Sequence, residues 1–296
     1  MYDIIIVGAG PAGMTAALYA ARAIKKVLVF EAKSYGGQIA LANKVENYPG
    51  IKNINGLDLA TDMYNQIKDL GVEVKLEMVK KITKNKEVIT DKGTYQTKAI
   101  ILATGVENRR LNLPKEVEYI GRGVSYCATC DGRLYKGKTV AVVGGGNTAL
   151  EDALYLAGIC DKVYLIHRRD TFRGEDKYVE EIKADSNIEL ILNSNVTDLI
   201  GEDRIEKIVV KNNDESERTI DVDGIFIAVG QQPKNELFAD VIELDEKGYI
   251  KAHDSVYTNV KGIYVAGDAR DKVLKQLTTA VSDGSIAATV AIKEME

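Results

Sequence analysis

The sequence predicts an α/β fold in which one β-α-β unit is used twice, the second copy inserted into the first. Three observations predict it. A strand–glycine turn–helix pattern opens the chain at Gly8-Ala9-Gly10-Pro11-Ala12-Gly13. It recurs at Gly144-Gly145-Gly146-Asn147-Thr148-Ala149, 136 residues later. A closing strand and helix, from Lys261 onward, have no counterpart in the second copy and so return to the first.

Taken in order, Asp3 to Val7 is a continuous apolar run, as a strand buried on both faces requires. Ala12 to Ala23 has helical composition, and Val27 to Phe30 is a second strand ending at Glu31. In the second copy, Thr139 to Val143 is the strand. Its helix runs to about Ala157, with Gly158 as the stop, and Val163 to Ile166 is the next strand. Glu31 and His167 are corresponding positions, and Ala103-Thr104-Gly105 corresponds to Ala228-Val229-Gly230. Lys261 to Ala266 is a further strand ending in Gly267-Asp268, and a last helix starts near Lys275. Linkers are expected near Asn112–Gly121 and Asp240–Gly248. The domains are therefore expected at 1–113 and 243–296 for the first, and at 114–242 for the inserted one.

The two glycine turns sit in the context that gives them chemical meaning. The first glycine makes the tight turn and the second lets backbone approach a pyrophosphate. The third, or Ala149 in its place, lets helix pack on strand. The helix N-terminus then supplies N–H donors and partial positive charge to phosphates. Both copies are thus Rossmann-like dinucleotide-binding domains. The charges at the ends of the two second strands are opposite in sign. Glu31 accepts hydrogen bonds from ribose hydroxyls and repels a 2′-phosphate, which suits FAD or NAD. His167-Arg168-Arg169, with Arg173 one turn on, offers a guanidinium clamp for a 2′-phosphate, which points to NADPH. The alternative is a solvated charge run, beside Asp170. With NADPH on the second domain, FAD is the economical occupant of the first. Asp268 suits its ribityl chain, and the helix from Lys275-Gln276-Leu277 is expected to aim its N-terminus at the flavin.

Composition narrows the function classes. The 296 residues are 45% hydrophobic and 28% charged, with a net charge of −5, which argues against nucleic acid as the main partner. No apolar stretch approaches a membrane span, and no secretory signal precedes the first strand, so a cytoplasmic location is expected.

The three cysteines, Cys127, Cys130 and Cys160, are too few for a disulfide scaffold. Cys127-Ala128-Thr129-Cys130 permits an intramolecular disulfide and a lowered thiol pKa. The pair lacks the partners of a zinc site, and no metal is expected. Cys160 reads as a small buried residue. Dithiol chemistry needs a proton carrier. His167 belongs to the expected clamp and His253 to a remote segment, which leaves Asp131 as the general acid/base. The alternative is that Asp131 only begins an Asp-Gly turn.

These motifs, with Gly36-Gly37-Gln38 and Glu46-Asn47-Tyr48-Pro49-Gly50, make the chain resemble the low-molecular-weight, bacterial-type thioredoxin reductases over nearly its whole length. The resemblance implies a homodimer with FAD held by the first and last segments and NADPH on the inserted domain. It implies that Gly37, Gln38 and Asn47 line the flavin site. It also implies that Cys130 faces the flavin and that Cys127 attacks a thioredoxin-like protein. Hydride is then expected to pass from NADPH to FAD, and two electrons onward to the cysteine pair. A rotation about the linkers is expected to give nicotinamide and cysteines alternate access to the flavin. Two departures stand out: Lys275 where many members have Arg, and Gly174 where Ala is usual.

Overall fold

The computed structural model describes residues 1–42 and 44–295. They form two compact units, one of Met1–Glu107 with the chain from Gln232 onward, the other of Asn108–Gln231. Both divisions precede the expected boundaries, for a physical reason. The backbone N–H groups of Leu111 and Leu113 bind Glu116, inside the second unit. Asn235 and Phe238 are buried in the first.

The first unit begins β1 (Tyr2–Val7), α1 (Pro11–Arg22), β2 (Val27–Glu31), α2 (Gly56–Asp69), β3 (Glu73–Leu76). It continues β4 (Val79–Ile82), β5 (Glu87–Thr90), β6 (Thr94–Leu102) and β7 (Val106–Asn108), the last reaching the division. Its sheet runs β3-β2-β1-β6-β5-β4. β1 is parallel to both neighbours, with Ile4 opposite Val27 and Ala99. Alternation explains the continuous apolar run. Ile4 and Ile6 join a core with Ala16, Ala17 and Ala287 from helices, whereas Ile5 and Val7 join a core with Phe30, Phe238 and Ile263. Each residue of the strand has a buried face to fill.

The second unit repeats the plan. It comprises β8 (Val124–Ser125), α3 (Ala128–Asp131), β9 (Thr139–Gly144), α4 (Asn147–Ala157), β10 (Lys162–Ile166), α5 (Asp176–Ala184) and β11 (Ile188–Ile191). A meander comes next in β12 (Ser194–Ile200), β13 (Lys207–Asn212) and β14 (Glu217–Asp221), and then β15 (Gly224–Ala228). The parallel sheet is ordered β11-β10-β9-β15-β8. Val140 and Val142 pack toward α4, while Ala141 and Val143 pack with residues of the meander. The chain then passes through β16 (Gln231–Pro233) to β17 (Ile263–Val265) and α6 (Leu277–Met295). β17 pairs in parallel with β6, so the closing segment does rejoin the first sheet. The structure therefore has the α/β architecture expected, one Rossmann-like unit inserted into another.

Candidate functional site

In the first unit the glycine turn is built against its neighbours. Gly8 has φ +108°, and a Cβ there would lie 2.3 Å from the Ala103 carbonyl oxygen. A Cβ on Gly13 would lie 1.9 Å from the Gly8 oxygen. Side chains are excluded at both positions, whatever the ligand. Gly10 caps α1 and Pro11 opens it, and no side chain makes a capping hydrogen bond at the helix N-terminus. Gly37 closes on the same turn, where its Cβ would sit 3.3 Å from Gly10 Cα. Glu31 accepts the Ala9 N–H at 2.9 Å and the Lys33 N–H at 2.8 Å, which fixes a carboxylate at the strand end.

Tertiary contacts gather the remaining first-unit positions. Gln38 donates to the Val106 carbonyl at 3.0 Å. Asn47 donates to the Gln276 side chain at 3.1 Å, joining two positions far apart in sequence just ahead of Leu277, where α6 begins. Thr104, next to Gly105, donates to Asn235 at 2.9 Å; Asn235 in turn donates to the Gly248 and Ala269 carbonyls. Gly267 meets Ala12, its Cβ position 2.9 Å from the alanine methyl. Asp268 Oδ1 is buried and makes no hydrogen bond, with the Lys272 ammonium 3.5 Å away. Burial holds the Asp268 carboxyl above its ordinary range. Lys275 lies over the Tyr249 ring at 3.5 Å, and burial pushes its ammonium down to about 8. An open helix N-terminus, a cradle that admits no Cβ and an orphaned carboxylate oxygen are what a dinucleotide with a polyhydroxyl chain would use. These residues fit such a group.

In the second unit a Cβ on Gly144 would lie 2.4 Å from the Ala228 oxygen, whereas one on Gly146 would meet nothing within 4 Å. Asn147, at the start of α4 and just before Thr148, accepts the Glu175 N–H at 2.8 Å and donates to its carboxylate at 2.9 Å. The Arg173 N–H donates to the Gly145 carbonyl at 2.7 Å, bringing that segment onto the turn. Arg168, Arg169 and Arg173 are exposed, and none is ion-paired among the described residues. His167, beside them, differs in being buried. Its side chain is buried beneath Gly145, stacks on Phe172 and has Nε2 3.1 Å from the Thr171 carbonyl. Burial holds its imidazole below the ordinary range, so it supports the turn as a neutral ring. Gly174 also acquires a reason: a Cβ there would come 2.4 Å from Leu150 and 2.9 Å from Asn147 Oδ1.

Cys127 and Cys130 form a disulfide, with Cα atoms 5.3 Å apart, at the start of the short helix α3. Asp131 ends that helix. Burial pushes its carboxyl above the usual range, and a hydrogen bond from Ser125 at 2.6 Å opposes the shift. Cys160 donates to the Tyr135 carbonyl at 3.2 Å, and burial pushes its thiol up to about 11, so it takes no part. Sequence reading missed Ser125, Glu116 and Asn235, because each acts through contacts that no local pattern announces.

Among the described residues, no three His, Cys, Asp or Glu side chains are grouped to hold a metal. None of the helices formed by them is long and apolar enough to cross a membrane.

Residues 2–284 match the family model of pyridine nucleotide-disulphide oxidoreductases, and the chain belongs to that family. A thioredoxin reductase of Mycoplasma genitalium is 42% identical over 96% of this chain and 92% of its own length. That of Listeria innocua is 42% identical over 100% and 94%. The crystal structure of thioredoxin reductase from Streptococcus pyogenes matches with a TM-score of 0.95 at 38% identity, covering 100% of this chain and 98% of that one. Within the family, the chain therefore stands among the thioredoxin reductases.

Proposed function

We propose that this chain reduces the disulfide of a thioredoxin-like protein, with FAD on the first unit and NADPH on the second. The observation that carries the proposal is the Cys127–Cys130 disulfide, on a unit that also presents three exposed arginines. Gly8, Gly10, Pro11, Ala12 and Gly13 would hold the FAD pyrophosphate, Glu31 a ribose, and Asp268 the ribityl chain. Gly37, Gln38, Asn47, Thr104, Gly105, Gly267, Lys275, Gln276 and Leu277 would complete that site. Gly144, Gly146, Asn147 and Thr148 would take the NADPH pyrophosphate, and Arg168, Arg169 and Arg173 its 2′-phosphate. His167 would hold the turn that presents them. A homodimer in the cytoplasm is the assembly and location that accompany this reading.

When bound, the two cofactors supply a hydride and relay its two electrons to the disulfide. The chain's own residues do the rest. Opening the Cys127–Cys130 bond takes two electrons and two protons and yields the dithiol. Cys127 thiolate attacks one sulfur of the substrate disulfide, forming a mixed disulfide and releasing the other sulfur as thiolate. Cys130 then attacks the Cys127 sulfur, restoring the intramolecular bond and releasing the second substrate sulfur. The two protons leave with the substrate dithiol. Asp131, adjacent to Cys130 and raised in pKa by burial, holds or passes the proton at that sulfur.

Anaerobic titration of the purified yellow protein with NADPH, and then with oxidised thioredoxin, tests the reading. Bleaching of the flavin by NADPH and its return on adding thioredoxin are expected. A flavin that bleaches but passes no electrons to any protein disulfide would make the chain a redox sensor instead.

A further inference from the structure

We propose that Ser125 is a positioning residue for the redox pair, its buried hydroxyl gripping the Cys127 backbone on one side and the Asp131 carboxyl on the other. The proposal rests on the reading of Asp131 as the proton carrier of the dithiol.

Ser125 is 4% exposed and ends β8, two residues before Cys127. Its backbone position opposite Phe226 would be served equally by an apolar side chain, as Val124 serves opposite Ile225. The hydroxyl therefore answers a different need. Ser125 Oγ accepts the Cys127 N–H at 3.1 Å. Its one proton has two acceptors in reach, Asp131 Oδ2 at 2.6 Å and the Cys127 carbonyl at 3.4 Å. The shorter, charge-assisted contact wins. The Asp131 N–H then donates to that Cys127 carbonyl at 3.1 Å, closing a ring of contacts around the cysteine backbone. The contact from Ser125 to the Cys127 N–H is an ordinary serine turn. The contact to a carboxylate six residues on is not part of any such turn.

No cation is ion-paired to Asp131 among the described residues. Tyr135, on the next turn, is a titratable side chain that feels its charge. The titratable side chains of α4, the helix packed on α3, are Glu151, Asp152 and Tyr155, of which Tyr155 lies against Gly132, the residue after Asp131. Cys130, half of the disulfide, directly precedes Asp131. Among these groups the Ser125 hydroxyl is the one that donates to the carboxylate. Burial favours the neutral acid and the hydroxyl favours the anion. Removing the hydroxyl leaves burial unopposed, so Asp131 keeps its proton to a higher pH and loses the contact that fixes its rotamer.

The test is stopped-flow reoxidation of the NADPH-reduced holoenzyme by oxidised thioredoxin, from about pH 5 to about pH 9, in Ser125→Ala, Ser125→Thr and Asp131→Asn. The pH-dependent limb that disappears in Asp131→Asn is expected to move up by about one pH unit in Ser125→Ala. Ser125→Thr, which keeps the hydroxyl, is expected to return it toward the unmodified position. The double variant Ser125→Ala/Asp131→Asn should match Asp131→Asn alone. Flavin reduction by NADPH, measured on each variant, confirms an intact fold. If the limb stays in place in Ser125→Ala while Asp131→Asn removes it, the role given to Ser125 is wrong and that of Asp131 stands. If Asp131→Asn keeps the unmodified profile, both are overturned.

Discussion

The hydroxyl of Tyr126 donates to the carboxylate of Glu116 at 2.6 Å, although Glu116 is only 1% exposed. The same carboxylate accepts the N–H groups of Leu111 and Leu113 at 3.2 and 3.1 Å. One buried side chain thus ties the first residues of the inserted unit to the residue directly before Cys127. Burial and the Glu116 contact push the Tyr126 phenol up, so it stays a donor throughout the physiological range.

Glu116→Ala strands three half-buried donors. Each unsatisfied group costs about 1–3 kcal/mol, partly relieved by water, so a loss of about 3 kcal/mol is expected. Urea unfolding should register it as a lower midpoint with an unchanged slope. Tyr126→Phe removes one of the three bonds and should cost about 1 kcal/mol.

The cofactor preference is assigned to exposed Arg168 and Arg169. Replacing both with Ala should raise the KM for NADPH far more than that for NADH. Each lost charge-assisted contact is worth roughly 1.5–3 kcal/mol, or about tenfold or more. Steady-state kinetics with both nucleotides check this. Equal use of the two by the unmodified protein would contradict the assignment.

Cys127→Ser and Cys130→Ser should each abolish thioredoxin reduction while leaving bleaching of the flavin by NADPH nearly intact. Protein disulfide reduction needs both sulfurs, and hydride acceptance needs neither. Near-normal thioredoxin reduction by either variant would remove the pair from the mechanism.

Asp283 makes a pH prediction. It is 5% exposed and accepts from Arg270 at 3.0 and 3.1 Å, from Lys272 at 3.1 Å and from the Gly267 N–H at 3.0 Å. Burial works to raise its carboxyl, but the two cations outweigh it and hold it below the usual range. A depressed carboxyl stabilises the fold above its unfolded pKa of about 3.9, and that contribution is lost as pH falls through the folded value. Thermal melts of Asp283→Asn should therefore be lower at neutral pH, by the equivalent of about 3 kcal/mol, and should differ less from the unmodified protein in acid. A constant offset down to about pH 2 would show that Asp283 acts by packing alone.

The sequence by itself determined the repeated plan and most of the chemistry-bearing positions. Glycine turns, strand-end charges and a two-residue cysteine spacing are local patterns, and local sterics write them directly into the chain. The first helix, expected from Ala12 and found from Pro11, the helix ending at Ala157 and the return of the last segment to the first sheet were all legible for that reason. What only the tertiary structure decided depends on neighbours brought from afar. His167 belongs by sequence with the arginines, and only the fold shows that its ring is buried under Gly145, in space a Cβ there would fill, while the arginines beside it are exposed. Asn47 meets Gln276, Thr104 meets Asn235, and Ser125 meets Asp131, through hydrogen bonds whose partners share no periodicity. A buried polar group must find a partner, but the sequence does not say which, because the choice is made by which strands and helices pack side by side.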